Sequence, residues 1–250
     1  MRGFETDRRD GIARIRLNRG KVNAVNEPLV EEMSATVLEI AADSSARGVL
    51  LTGSGSFFSF GFDIPELLAY SRDDFVRFLT KFAEFYANLF LLPKPVVAAL
   101  NGHAIAGGCM IALACDRRIM ARGKAKISLN EITFGASIFA GSMEMLQYRV
   151  GPAMAEEIVF SGDMYEGEEA LRRGLADRLE EPASLMEAAE EEVRLLAKRG
   201  GPAFAGVKTL ARGPVGERMR SREKASIEEF AGIWYSKETQ DQLRRIKIRD

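Results

Sequence analysis

Between residues 95 and 115 the chain runs from a continuously apolar segment, through a glycine pair, into a second segment that is apolar on every side. Residues 95–100 read as a strand and 109–115 as a short helix, and neither has a face fit for water. Such elements must be covered on all sides, which argues for an α/β architecture with buried strands. The connection, Asn101-Gly102-His103-Ala104-Ile105-Ala106-Gly107-Gly108-Cys109-Met110, places Gly107 at the N-terminus of a buried helix. Unpaired N–H groups and the positive end of the helix dipole favour an anion there, and a glycine lets a ligand approach the backbone. Taken alone, a Gly-Gly pair before a buried helix is more often a tight turn or a close-packing device.

A second segment repeats the pattern. Residues 48–52 read as another buried strand, after which Phe57-Phe58-Ser59-Phe60-Gly61-Phe62-Asp63-Ile64-Pro65-Glu66 passes through a glycine into a helix start, with Asp63 as N-cap before Pro65. Two strand ends then offer amides, those of Phe62 and Gly107. Elsewhere, residues 11–17 alternate Ala13, Ile15 and Leu17 against Arg14 and Arg16 as a half-buried strand, and Asn26 caps a helix with Leu29, Met33, Val37 and Ile40 on one face. Residues 74–91 carry Phe75, Phe78, Phe82, Phe85 and Leu89, a stripe whose default role is core packing. From Ser184 the chain becomes charged and helical through 185–198, 203–211 and 217–237, with Gly200-Gly201-Pro202 as a boundary. This periodicity alone also allows a doubly wound sheet.

The inventory thins the chemistry. His103 is the only histidine, so metal sites with several imidazoles are excluded and any Ser-His-Asp set would depend on it; a packed histidine hydrogen-bonded to backbone is the expectation. Neither a Gly-x-Ser-x-Gly elbow nor a Walker A loop occurs. Cys109 and Cys115 lie on one buried helix, unsuited to pairing with each other, and imply a reducing compartment weakly. A formal net charge of -1 gives no support for nucleic-acid binding, and Arg244-Arg245-Ile246-Lys247-Ile248-Arg249 reads as a solvated tail. Residues 1–10 lack the apolar core of a signal peptide, and no run is long enough to span a bilayer, so a cytoplasmic location is expected.

Six motifs, in order, carry a family resemblance: Lys21-Val22-Asn23-Ala24, Phe58-Ser59-Phe60-Gly61-Phe62-Asp63, Pro93-Lys94-Pro95-Val96-Val97-Ala98-Ala99, Ala106-Gly107-Gly108-Cys109, Cys115-Asp116 and Asn130-Glu131. From about Phe4 to about Pro182 the chain resembles the crotonase, or enoyl-CoA hydratase/isomerase, family. The resemblance implies a stacked ββα spiral core over residues 1–199 and a helical C-terminal oligomerisation module over 200–250, assembled as a homotrimer or dimer of trimers. It implies an acyl-CoA thioester as substrate, with no resident cofactor or metal. The backbone amides of Phe62 and Gly107 would form an oxyanion hole, and Lys21, Ala24, Phe60, Asp63, Ile64, Met110 and Phe134 would border the substrate. The nucleotide end of coenzyme A would lie near residues 19–24.

The acids and bases choose the reaction. Hydratases of the family resemble one another in using two glutamates across a water; here one of those positions is Met110 and the other Glu131. A thioether cannot activate water or deliver a proton. One carboxylate suits the movement of a proton between two carbons, and the family's single-glutamate isomerases share this pattern. Glu131 would take a proton from C2 of a 3-enoyl-CoA and return it at C4 while the two amides hold the enolate. Apolar neighbours, with Ile132, Phe134 and Ile138 as candidates, would raise its pKa toward working pH. Glu144 is the rival acid, but Met143, Leu146 and Val150 share a helical face from which it is offset, making it a surface or intersubunit residue. The alternatives are a hydratase with Glu144 as displaced second acid and a noncatalytic acyl-CoA binder. The scaffold also hosts other thioester reactions, so the fold limits the claim.

Overall fold

A computed structural model describes residues 3–199 and 201–246. Among these the strands are β1 (Phe4–Arg9), β2 (Ile12–Leu17), β3 (Gly48–Gly53), β4 (Phe57–Ser59), β5 (Val96–Leu100), β6 (His103–Ile105), β7 (Arg117–Ala121), β8 (Lys126–Ser128), β9 (Tyr165–Glu166) and β10 (Arg178–Glu180). The helices are α1 (Glu27–Ala42), α2 (Ile64–Leu67), α3 (Arg72–Leu91), α4 (Gly107–Ala114), α5 (Ala140–Val150), α6 (Pro152–Ser161), α7 (Gly167–Arg172), α8 (Leu185–Lys198), α9 (Pro202–Trp234) and α10 (Lys237–Leu243).

Two sheets form, in the orders β1-β2-β3-β5-β7-β10 and β4-β6-β8-β9. Successive pairs β3–β4, β5–β6 and β7–β8 each give one strand to either sheet before the chain turns helical, so the topology is a ββα spiral rather than one doubly wound sheet. The pairings β3·β5, β5·β7, β4·β6 and β6·β8 are parallel. Every residue of β3 and β5 is buried, which is what their unbroken apolar runs require.

Local chemistry explains several elements. The Asn26 side chain accepts from the Leu29 N–H at the start of α1, whose buried face includes Leu29, Met33, Val37 and Ile40. Asp63 likewise caps α2, accepting from Glu66 N–H. The α3 stripe is fully inside, and each buried phenylalanine contributes roughly 1.5–3 kcal/mol over an exposed one. Gly108 is required by a close approach: a Cβ there would meet the Ser59 carbonyl oxygen at 2.2 Å. Cys109 and Cys115 are both buried free thiols. The His103 backbone N–H donates to the Ser56 carbonyl while the half-buried ring packs on Phe57, centroids 5.0 Å apart.

The C-terminal half departs from expectation. Residues 203–211 and 217–237 are not two helices; α9 runs unbroken from Pro202 through Gly213 and Pro214 to Trp234, and α10 begins afresh at Lys237. Proline inside a helix removes a hydrogen bond, but burial on both sides of it outweighs that loss. Lys208 and Arg212 before it, and Val215, Gly216 and Met219 after it, are all buried. Asp116 anchors the first pair, 2.8 Å from Lys208 Nζ and 2.8 Å from an Arg212 nitrogen. Arg212 also donates to the Ala114 carbonyl, and Arg149 to that of Cys115, so cations surround the carbonyl end of α4. Arg244 and Arg245 are exposed, whereas Lys247, Ile248 and Arg249 of the basic cluster, and Gly200 of the boundary motif, lie outside the described residues. Among the described residues no helix is long and apolar enough to cross a membrane.

Candidate active site

The site begins where β4 and β6, paired in parallel, both run out of sheet. Gly61 takes φ of +97°, and a Cβ on it would come within 2.8 Å of the Ile105 carbonyl oxygen and 3.0 Å of Gly107 N. Only glycine lets the two turns approach so closely. On the far side, Val25 N–H donates to the Gly61 carbonyl and Asp63 N–H to the Val25 carbonyl, fixing the Phe62 peptide from both ends. Ala106 holds φ of +49° as the N-cap of α4, a conformation costing on the order of 1–3 kcal/mol for a residue with a Cβ. It has no capping side chain, so the first turn of α4 keeps its N–H groups available. Among the described residues, neither the Phe62 nor the Gly107 N–H donates to a backbone acceptor.

Glu131 enters from the next layer. After β8 the chain makes a 3-10 turn, Glu131–Phe134, closed by Gly135 in the left-handed region at φ +74°. Its carboxyl is buried, and Oε2 has no hydrogen-bond partner among the described residues. Burial pushes the pKa up to about 8, opposed by a hydrogen bond from its own backbone. Ile132 was expected beside this carboxyl but is 49% exposed. In a 3-10 turn, side chains three apart share a face, so Phe134 joins Glu131 and Ile132 swings outward. Ile138 packs against the core.

A cavity of about 490 Å³ opens onto these groups. Phe60, Phe62, Ile64, Met110, Glu131 and Phe134 line it. Gly107 adjoins it, since a Cβ there would lie 3.0 Å from the Phe62 ring, and the neighbouring Ala106 is in the wall. Three expected border residues stand apart from the wall. Lys21 is exposed on its loop, the Ala24 carbonyl accepts from Arg19, and Asp63, besides capping α2, pairs with Arg19 at 2.7 Å. Glu131 and Arg245 are the ionisable side chains of the lining.

Glu144 is neither at the surface nor in this cavity. It is buried, accepting from Arg218 Nε at 2.7 Å and from Arg222 at 3.2 Å, because α9 lies across α5 and covers the face expected to be open. Sequence reasoning also missed the walls supplied by α9 and α10. Phe230 and Trp234 form part of the deep side, and Gln242, Arg245 and Ile246 part of the mouth. Ile227, Phe230, Ala231 and Trp234 do follow helical spacing, which marks a buried face without saying what it faces. Thr239 ties α10 to the Glu131 turn, its hydroxyl donating to the Gly135 carbonyl at 2.7 Å.

Comparison with known proteins comes to the same place. A family model described as enoyl-CoA hydratase/isomerase matches residues 7–244. The short-chain-enoyl-CoA hydratase of Clostridium acetobutylicum is 37% identical over 182 residues, 72% of this chain and 69% of that protein. Human mitochondrial delta3-delta2-enoyl-CoA isomerase superposes with a TM-score of 0.89 at 25% identity, covering 97% of this chain and 96% of that one. An enoyl-CoA hydratase from Bacillus halodurans gives 0.89 at 26% identity, covering 98% and 100%. The backbone resembles a hydratase and an isomerase equally, so the choice between them falls to the side chains.

Proposed function

The chain belongs to the enoyl-CoA hydratase/isomerase family, and from that premise we propose that it converts 3-enoyl-CoA to 2-enoyl-CoA by moving one proton. One observation carries the reading: a single buried carboxylate, that of Glu131, faces a cavity in which Met110 occupies the other expected acid position. Adding water across a double bond calls for a second proton-handling group, and Glu144 is committed to two arginines. Moving a proton from C2 to C4 calls for one base that can give back what it takes.

In this mechanism the thioester oxygen lies between the Phe62 and Gly107 amides, and Glu131 removes a C2 proton. Negative charge grows on that oxygen, where one fixed donor of this kind is worth about 3 kcal/mol. The protonated Glu131 then delivers the proton to C4, leaving the conjugated product. A carboxyl with a raised pKa holds the proton well in the intermediate, at the expense of the fraction ionised beforehand. The acyl-CoA is the substrate and no resident cofactor takes part; residues 19–24 are the segment that would meet its nucleotide end. The working form is a homotrimer or dimer of trimers in the cytoplasm.

Purified protein given 3-enoyl-CoA and, separately, 2-enoyl-CoA tests this. Double-bond migration is expected without water addition, and Glu131→Gln is expected to lower kcat by about a hundredfold or more while acyl-CoA still binds. Robust hydration of 2-enoyl-CoA would sink the one-base mechanism.

A further inference from the structure

A second cavity, of about 580 Å³, lies between α3 and α9, lined in part by Ala83, Ala87, Met219 and Ile227. It shares no lining residue with the first. What divides them is a layer of rings. Phe139 and Phe230 line the first cavity with centroids 4.7 Å apart, and Phe82 stands edge-on to Phe62 at 4.9 Å and to Tyr86 at 5.4 Å. Tyr86 faces the second cavity, as does Ile227, one helical turn from Phe230.

The layer lies at the inner end of the first cavity. Its mouth includes the exposed residues Thr133 and Arg245, whereas Phe82, Phe139 and Phe230 are at most 2% exposed. It is also held from behind. The Tyr86 hydroxyl donates to the half-buried Glu223, whose other oxygen accepts from the Gly141 N–H at 2.5 Å, so turning Tyr86 aside would cost that carboxyl a hydrogen bond and loosen the tie between α3 and α9. Edge-to-face rings packed at these distances leave no passage for a methylene chain.

We propose that the layer formed by Phe82, Phe139 and Phe230 ends the acyl pocket and makes this protein selective for short acyl groups. The inference rests on the acyl-CoA reading above. A chain growing inward from the thioester meets the rings, and further methylenes gain no burial. The space behind, bordered in part by Ala83, Ala87, Met219 and Ile227, is closed to that chain by the rings.

Two series test it on the intact protein. In the first, kcat/KM is measured for 3-hexenoyl-, 3-octenoyl-, 3-dodecenoyl- and 3-hexadecenoyl-CoA. A fall of about tenfold or more from the shortest to the longest is expected, and a value that holds or climbs to hexadecenoyl overturns the proposal. In the second, dissociation constants are measured for the saturated acyl-CoAs of the same lengths, a readout independent of catalysis. Affinity that stops improving after the short members supports the wall, and steady tightening with each added carbon overturns it. Absence of turnover at every length would therefore defeat the isomerase reading and leave the length limit decided by binding. Phe230→Ala, which joins the two cavities, is expected to raise the long-to-short ratio of kcat/KM by about tenfold. Should that variant not fold, Phe139→Leu, which keeps an apolar side chain in place, should shift the ratio in the same direction, and an unchanged ratio counts against the proposal.

Discussion

Glu131 carries two properties that oppose one another. Burial lifts its carboxyl from 4.5 to about 8, so about a tenth of it is ionised at pH 7. The rate of proton abstraction, read as kcat/KM, should therefore climb through neutrality, reach half its maximum near pH 8 and level off about one unit above that. Stability should move the other way. The folded pKa lies above the unfolded one, so the folded state binds the proton more tightly; its stabilising effect is complete below pH 4.5 and is lost as pH rises through about 8. Between those limits the loss is roughly 5 kcal/mol at most. Urea unfolding at several pH values should show that slope in the parent and a flatter one in Glu131→Gln; equal slopes would mean the carboxyl is not desolvated. At this scale much was legible, because Phe62, Met110 and Glu131 follow from motif positions. Ile132 was misplaced because a 3-10 turn and an ordinary loop look alike in sequence and aim successive side chains differently.

Among the elements, α10 is tied directly to the Glu131 turn. Its Thr239 hydroxyl grips the Gly135 carbonyl, at the residue that closes the Glu131 turn. Thr239→Val keeps the shape and removes the bond, which should cost about 1 kcal/mol of stability. A loosened turn admits water to the carboxyl, so the rising limb of the pH profile should move to lower pH by on the order of one unit. Thr239→Ser should restore the parent profile, and a Val variant with an unmoved profile would show that α10 is only a roof. Strands β2, β3 and β5 and helices α1 to α4 were legible from apolar runs and caps, Asn26 and Asp63 among them, whereas β1, β7 and the short β4 and β6 that lead into the site were not. The continuity of α9 was not. Gly213-Pro214 is a strong local stop signal, and only packing that no local window contains, such as Gly216 against Leu91, overrides it.

Across the whole molecule, Asp116 fastens α9 to the larger sheet. It accepts from Lys208, Arg212 and the Val96 N–H of β5, all buried. Removing its charge leaves two interior cations short of a partner, and Asp116→Asn should lower unfolding stability by about 3–5 kcal/mol; a change below about 1 kcal/mol in urea titration would contradict that role. The ββα spiral could be drawn only through the family resemblance, since apolar strands alone also fit one sheet. Phe230 and Trp234 had no local signal for their place in the cavity, because they meet Glu131 only after α9 has crossed α3 and α5. That crossing has a temporal meaning. A ribosome makes the carboxylate early and its enclosing walls late, so the nascent chain carries Glu131 as an ordinary surface acid. Its carboxyl leaves water only when α9 and α10, made after it, have packed over the turn, so the order of synthesis delays the environment that lifts its pKa.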